Sequence, residues 1–414
     1  MNRFSRRRFL NTGMLSALGV AGGAGLNIWL PSAETTNSEK LKSPLLAEKE
    51  KKIKILRRQV RGTAPINAQF PNFGERLTLK ADLHLHSVFS DGDLWPEARV
   101  EEAVREGLDV LCISDHIEVQ PHQKEFISSD LSRGYELAAP RAEKENLVLI
   151  PGLEITRMEP YAKHLNALFL KNFSALKKDK FRDAVYAAAE QECFIFWNHP
   201  AWGQKEPKAT WYPEMDEFLD AGVLNGFEVV NGFEGNASDC QLDVLEWALQ
   251  YKVAPLGNSD AHKAIPYLFD WSSGGHRPMT LIFAKERTLA GVREALFGGN
   301  TAIYYYDYDR GERIIGSREQ LYPFFQSGLK CEFKFFKQKG MLEGLLWSSF
   351  PFELKMKQIL SGQIQEENII YVPPGESTCE FKSVVLENNL YFEVENFVIG
   401  KGKNLIAEYE IILS

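Results

Sequence analysis

The sequence predicts an α/β fold followed by a smaller all-β C-terminal module. Three observations carry this. Between residues 76 and 311, apolar strands alternate with amphipathic helices about seven times. From about residue 312 the helices thin out and short alternating strands take over, which reads as a sandwich. An apolar content of 44% and a charged content of 25% belong to a chain that can bury a core. The 414 residues suit two domains better than one.

In chain order, the first element is a leader. "SRRRFLNTG" precedes the uncharged, Gly-rich run "MLSALGVAGGAGLNIWLPSA". Arg6 and Arg7 followed by Phe9 and Leu10 resemble a twin-arginine (Tat) export signal over residues 1–33. Such a signal implies a periplasmic or secreted protein, or a membrane-anchored one if the run stays uncleaved, and the Tat machinery as a partner. The apolar run is near the lower limit for a membrane span. Residues 34–75 are charged, then Pro- and Asn-containing, and read as a linker and an arm.

Strands are then expected at "LTLKADLHLH", "DVLCISDH", "LVLIPGLEIT", "HLNALFL", "CFIFWNHP", "GFEVVN", "VAPLGNSDAH" and "MTLIFA". Helices are expected at "PEARVEEAVREG", "ALKKDKFRDAVYAAAEQE", "DCQLDVLEWALQ" and "TLAGVREALFGG". This alternation predicts a parallel α/β barrel or a doubly wound sheet over residues 76–311. Residues 312–414 make the β-rich module, whose Phe333, Phe335 and Phe336 read as its own core. The five cysteines are scattered, with no CxxC, and read as core residues; Cys331 and Cys379 could pair, but no spacing requires it. A net charge of −8 argues against a nucleic-acid polymer as partner.

Chemistry gathers at the strand ends. Six of the eight histidines stand there: His84, His86, His116, His164, His199 and His262. In an α/β barrel the C-terminal strand ends share one face, so distant residues converge. His84 and His86, like Asp260 and His262, are spaced i, i+2 and share a strand face, with Leu83 and Leu85 pointing at helices. Asp91 follows in a turn-forming "FSDGD", and Glu154 sits in "GLEIT". Imidazole and carboxylate together suit zinc, manganese or iron. Each pair alone could be a core histidine, cap or turn; the joint pattern predicts a shared metal cluster. His122 reads as a loop residue, Asp82 as a partner behind the ligands, and Asp93 as part of the turn.

The ordered motifs "HLHSVFSDG", "SDH", "GLEIT…KHLN", "WNHP" and "NSDAH" resemble the polymerase-and-histidinol-phosphatase (PHP) family over roughly residues 79–310. The resemblance implies a distorted seven-stranded (β/α) barrel, two to three divalent metals (Mn, Zn or Fe) and hydrolysis of a small phosphate ester. Carried over, His84, His86, Glu154 and Asp260 hold one metal. Glu154 bridges to a second held by His164 and His199, and Asp91, His116 and His262 hold the third. Some members have His where this chain has Asp91. The layout is similar to secreted bacterial PHP phosphodiesterases; a phosphomonoesterase and a metal-dependent amidohydrolase are the alternatives. For substrate, "GGHRPMT" offers Arg277 to hold a phosphoryl oxygen and His276 to protonate the leaving group. Arg157 and Lys163 are rival cations, and Asn258 and Trp202 are expected to line the pocket.

Overall fold

The structure, a computed structural model, describes residues 68–413 except 123, 125–128, 159–161, 203–208, 236–238, 337, 339 and 383–388. Residues 1–33, expected to be an export signal, and residues 34–67 lie outside the described residues. At the start of the described chain, Phe70 stacks edge-on against Tyr304 and Phe73 packs on Phe283, which pins residues 68–76 to the core.

The N-terminal α/β region holds β1 (Leu77–Asp82), β2 (Val110–Leu111), β3 (Val148–Leu149), β4 (Gly152–Arg157), β5 (Lys163–Leu168), β6 (Phe194–Trp197), β7 (Leu224–Asn231), β8 (Asp239–Cys240), β9 (Ala254–Asn258) and β10 (Met279–Ala284). The longer helices are α1 (Pro96–Arg105), α2 (Arg133–Lys144), α3 (Phe181–Ala189), α4 (Pro213–Asp220), α5 (Leu242–Tyr251) and α6 (Leu289–Phe297). Helix α1 begins with Pro96, whose missing N–H costs nothing in a first turn. It buries Val100 and Ala103 in a cluster shared with Leu85, Leu111 and Ala138. Helix α2 was not legible in the sequence, because Pro140 stands inside it and breaks the pattern.

The expected uniform parallel order is not found. β1, β2 and β3 are parallel, but β10 runs antiparallel to β1. β4, β5 and β6 are antiparallel neighbours, and only β6, β7 and β9 resume parallel pairing. The reason is local. Residues 158–162 between β4 and β5 are far fewer than the about a dozen that a parallel crossover needs. Likewise "LVLIPGLEIT" is two strands rather than one, parted at Pro151 and belonging to different sheets. Among the described residues the strands form two sheets and no single closed one. The two sheets are joined by isolated bridges between Leu85 and Ala261 and between His116 and Glu154. Both bridges involve or flank predicted ligands. The strand β1 also stops at Asp82, ahead of both histidines. Leu83 stays in a core cluster with Leu79, Ala81 and Phe196, while Leu85 joins Val100 and Ala103 on the helix side.

The C-terminal strands continue the first sheet. β11 (Thr301–Asp307) and β12 (Gly311–Ile315) form a hairpin. After α7 (Arg318–Gly328) come β13 (Leu329–Phe336), β14 (Met341–Ser348), β15 (Leu354–Leu360), β16 (Gln363–Val372), β17 (Gly375–Lys382), β18 (Asn389–Gly400) and β19 (Lys403–Leu413). β12 pairs in parallel with β18 at Ile314–Phe397 and Ile315–Val398. One hydrophobic cluster runs from Val100 and Ala138 through Phe324 and Phe325 to Phe333 and Phe392. Phe333 and Phe335 are buried and Phe336 is half-buried. All five cysteines are free, including Cys331 and Cys379.

His276 lies at the junction, not at the strand-end cluster. Its Nδ1 donates to the Arg277 carbonyl at 2.7 Å, its Nε2 meets Glu312 at 3.0 Å, and its ring stacks on Tyr304 at 4.3 Å. Both nitrogens and one face are therefore engaged, so the expected role as leaving-group acid is withdrawn. Burial alone would lower this imidazole; Glu312 beside it outweighs burial and raises it. The unfolded imidazole titrates near about 6.5. The raised folded value gives stability that is complete below that pH and lost as pH rises through the folded value. We expect the melting temperature of chelator-treated protein to fall with rising pH more steeply in wild type than in His276→Gln, measured by calorimetry. Equal slopes would contradict this account.

Candidate metal centre

The nine predicted ligands converge. Glu154, fully buried on β4, is central: one carboxylate oxygen lies 3.0 Å from His84 Nε2, 3.4 Å from His86 Nε2 and 3.5 Å from His116 Nδ1. Its other oxygen lies 2.5 Å from His164 Nδ1. Asp260 faces His84 Nε2 at 3.2 Å and His86 Nε2 at 3.1 Å, and its second oxygen is 3.8 Å from His199 Nε2. Asp91 Oδ1 is approached by His262 at 3.3 Å, His116 at 3.6 Å and His86 at 4.0 Å.

Local backbone chemistry sets these positions. His199 and Asp260 have positive φ, 29° and 48°, a conformation uncommon for residues other than glycine. Surrounding bonds hold it in place. Asp260 N–H donates to the His84 carbonyl at 2.8 Å, and His86 N–H to the Ala261 carbonyl at 3.1 Å. The "FSDGD" turn folds back as expected: Gly92 N–H donates to Ser87, and Asp93 N–H to the His262 carbonyl at 2.7 Å. A Cβ on Gly92 would fall 2.5 Å from the His86 carbonyl oxygen, so only glycine fits there.

Three further residues hold the ligands, and the sequence did not single out their roles. Arg99, fully buried on α1, donates to the carbonyls of His86, Ala261, His262 and Lys263 as well as to Glu102. It thereby clamps the HxH segment to the DAH segment. Asp115 accepts from Ser87 N–H, Ser87 Oγ and Ser90 Oγ at 2.6–2.8 Å. Ser90 in turn stands 3.4 Å from His86 Nδ1. Glu228, buried on β7, meets His84 Nδ1 at 3.1 Å.

Burial and close neighbouring charges shift several of these groups from their ordinary values. Burial would raise Glu154, but His116, His84 and His164 outweigh it and hold the carboxyl well below its ordinary range. Burial pushes Asp260 up to about 6, with Glu154 and Glu228 adding to it against His84 and His262. Burial would lower His262, yet Asp91 and Asp260 carry it to about 9. Burial and neighbouring imidazoles hold His86 and His199 well below the usual value. Two buried atoms of these ligands, His164 Nε2 and Asp91 Oδ1, make no well-formed hydrogen bond, the second being met by imidazole nitrogens at 3.3–4.0 Å. A carboxylate oxygen and an imidazole nitrogen in such a place suit a cation.

Four overlapping groups have ligand atoms within 4.8 Å of one another: His86, Asp91, His116 and His262; His84, Glu154 and His199; His84, His86 and Asp260; and His116, Glu154 and His164. The grouping differs in detail from that implied by resemblance. His86 also reaches the Asp91 group, and His116 reaches His164 through Glu154.

The predicted substrate residues are placed less uniformly. Trp202 is at the site, edge-on to His164 at 5.1 Å and 5.7 Å from His199. Arg277 is fully buried, with Glu106 at 2.6 Å and Asp82 at 2.9 Å, so its guanidinium is not offered to a phosphoryl group. Asp82 also accepts from Ser259 N–H and Oγ, which fits its expected place behind the ligands. Asn258 is equally buried; it accepts from Leu83 N–H and donates to Glu228, and does not line an opening. Arg157 pairs with Glu118 and donates to the Thr156 and Lys178 carbonyls. Lys163 pairs with Glu214 at 3.4 Å.

A PHP-domain family model matches residues 82–198. Over 194 residues the chain is 25% identical to an uncharacterized protein of Methanocaldococcus jannaschii, which takes in 44% of this chain and 82% of that one. A crystal structure from Bacteroides vulgatus, a two-domain protein containing a predicted PHP-like metal-dependent phosphoesterase, is 34% identical with a TM-score of 0.75. The match covers 84% of this chain and 98% of that one. The chain belongs to the PHP-like metal-dependent phosphoesterase family. For this phosphoesterase the family implies divalent metals, and the His, Asp and Glu groups just described could hold them.

Gly92→Ala should displace the His86 and Ser87 backbone. We expect a loss of about 1–3 kcal/mol in denaturant unfolding, together with reduced metal content per chain by elemental analysis. Wild-type stability and metal content would show that the turn does not position the site.

Proposed function

We propose that this phosphoesterase hydrolyses small phosphate diesters, such as organophosphate or nucleotide esters, outside the cytoplasm. The observation that carries the reading is the convergence of nine His, Asp and Glu side chains, buried Glu154 among them, in four overlapping groups. Two to three divalent ions, Mn, Zn or Fe, would be held by His84, His86, Asp91, His116, Glu154, His164, His199, Asp260 and His262. Bound divalent ions in such centres supply Lewis acidity and activate water.

The protein's own charges favour a diester. A monoester is a dianion near neutral pH, and a diester a monoanion. The cations considered for substrate are already engaged: Arg277 by Glu106 and Asp82, Arg157 by Glu118, and Lys163 by Glu214. The less charged ester therefore asks less of this site. Trp202, part-exposed beside His164 and His199, offers an apolar face to the ester's organic arm. Arg6 and Arg7 ahead of the Gly-rich run support export by the Tat route.

With Mn or Zn supplied, bis(p-nitrophenyl) phosphate should be cleaved faster than p-nitrophenyl phosphate. A faster monoester would overturn the diester assignment. Asp260→Ala should lower the diester rate by about 1000-fold or more while circular dichroism stays unchanged; retained activity would remove Asp260 from the centre. In a Tat-competent bacterial host, replacing Arg6 and Arg7 by lysine should keep the chain in the cytoplasmic fraction. Continued appearance in the periplasm would refute the export assignment.

A further inference from the structure

We infer that Glu228 is a positioning residue that keeps the proton of His84 on Nδ1 and so presents Nε2 as the metal-binding atom. The inference rests on the metal-centre reading above. It follows from counting donors. Glu228 is buried within β7, and its carboxylate receives bonds from three groups whose donor character is fixed. His199 supplies a backbone N–H at 2.8 Å. Asn231 supplies Nδ2 at 2.9 Å, because its Oδ1 is occupied by the Phe233 backbone N–H. Asn258 supplies Nδ2 at 2.9 Å, because its Oδ1 is occupied by the Leu83 backbone N–H.

The remaining partner is His84 Nδ1, at 3.1 and 3.3 Å from the two oxygens. Three fixed donors make Glu228 an acceptor, so Nδ1 donates the remaining bond. The other nitrogen, Nε2, faces Glu154 at 3.0 Å and Asp260 at 3.2 Å, where a bound ion would take the place of a proton. A carboxylate behind a ligating imidazole fixes both its tautomer and its orientation. The same carboxylate also holds the His199 backbone at its positive φ, so one side chain presents two candidate ligands.

Glu228→Gln tests this with almost no change in shape. One amide NH2 must replace one oxygen. Placed at Oε2, it would face the His199 N–H and the Asn231 amide, two donors that cannot turn into acceptors. Placed at Oε1, it faces the Asn258 amide and His84 Nδ1, and His84 can respond by moving its proton to Nε2. The second arrangement conflicts with fewer fixed donors. The substitution should therefore switch the His84 tautomer and put a proton where the ion would bind.

The measurement is zinc affinity of the full folded chain by competition with a chromophoric chelator, with the histidine tautomers read by nitrogen-15 NMR of the zinc-loaded protein. We expect Glu228→Gln to bind its tightest zinc about 10–100-fold more weakly, and wild-type His84 to show a protonated Nδ1. Wild-type affinity in the variant, or a protonated Nε2 on His84 in wild type, would overturn the inference. If Glu228→Gln does not fold, the wild-type NMR result decides by itself. Failure of wild type to bind zinc, manganese or iron would instead overturn the metal-centre reading.

Discussion

A carboxylate with no exposed surface, ringed by four imidazoles, is the constraint around which this protein is built. Glu154 cannot be buried there as a lone anion, since an unpaired buried charge costs several kcal/mol. Its neighbours make it tolerable, and each of them has a proton to account for. His84 hands one to Glu228, His86 faces Asp260, His116 contacts Thr156, and His164 has one nitrogen on Glu154 and the other unmatched. What remains is an excess of acceptor atoms pointing at common space. That excess is the physical description of a cation site.

The fold serves this arrangement by bringing strand ends together without a continuous ladder. The two sheets touch at single bridges beside ligand-bearing residues, and side chains do the rest of the joining. Arg99 and Glu228 play mirror-image parts. One is a buried cation surrounded by carbonyl oxygens, the other a buried anion surrounded by N–H groups. Removing either would leave several fixed polar groups unmatched, at a cost of roughly 1–3 kcal/mol for each buried one.

The ligands were legible in the sequence because their chemistry is carried by residue type and short spacing at the ends of apolar runs. His84, His86, Asp260 and His262 announce themselves by i, i+2 pairs. Their supports do not. Arg99 reads as one polar residue of an amphipathic helix, and Glu228 as one polar residue of "GFEVVN"; only the three-dimensional neighbours give either a role. Arg277 and His276 misled for the opposite reason. They follow the last ligand motif closely, but a buried guanidinium must be neutralised, and Glu106 and Asp82 were the partners within reach. Strand direction was also hidden, because an apolar run looks alike whichever way its neighbour runs.

The clamp made by Arg99 reaches from the first ligand motif to the last across 162–164 residues. Closing a loop of that length costs chain entropy before the contact helps. The group of His86, Asp91, His116 and His262 takes its atoms from both ends of the span. An ion held there would favour the closed chain over the open one.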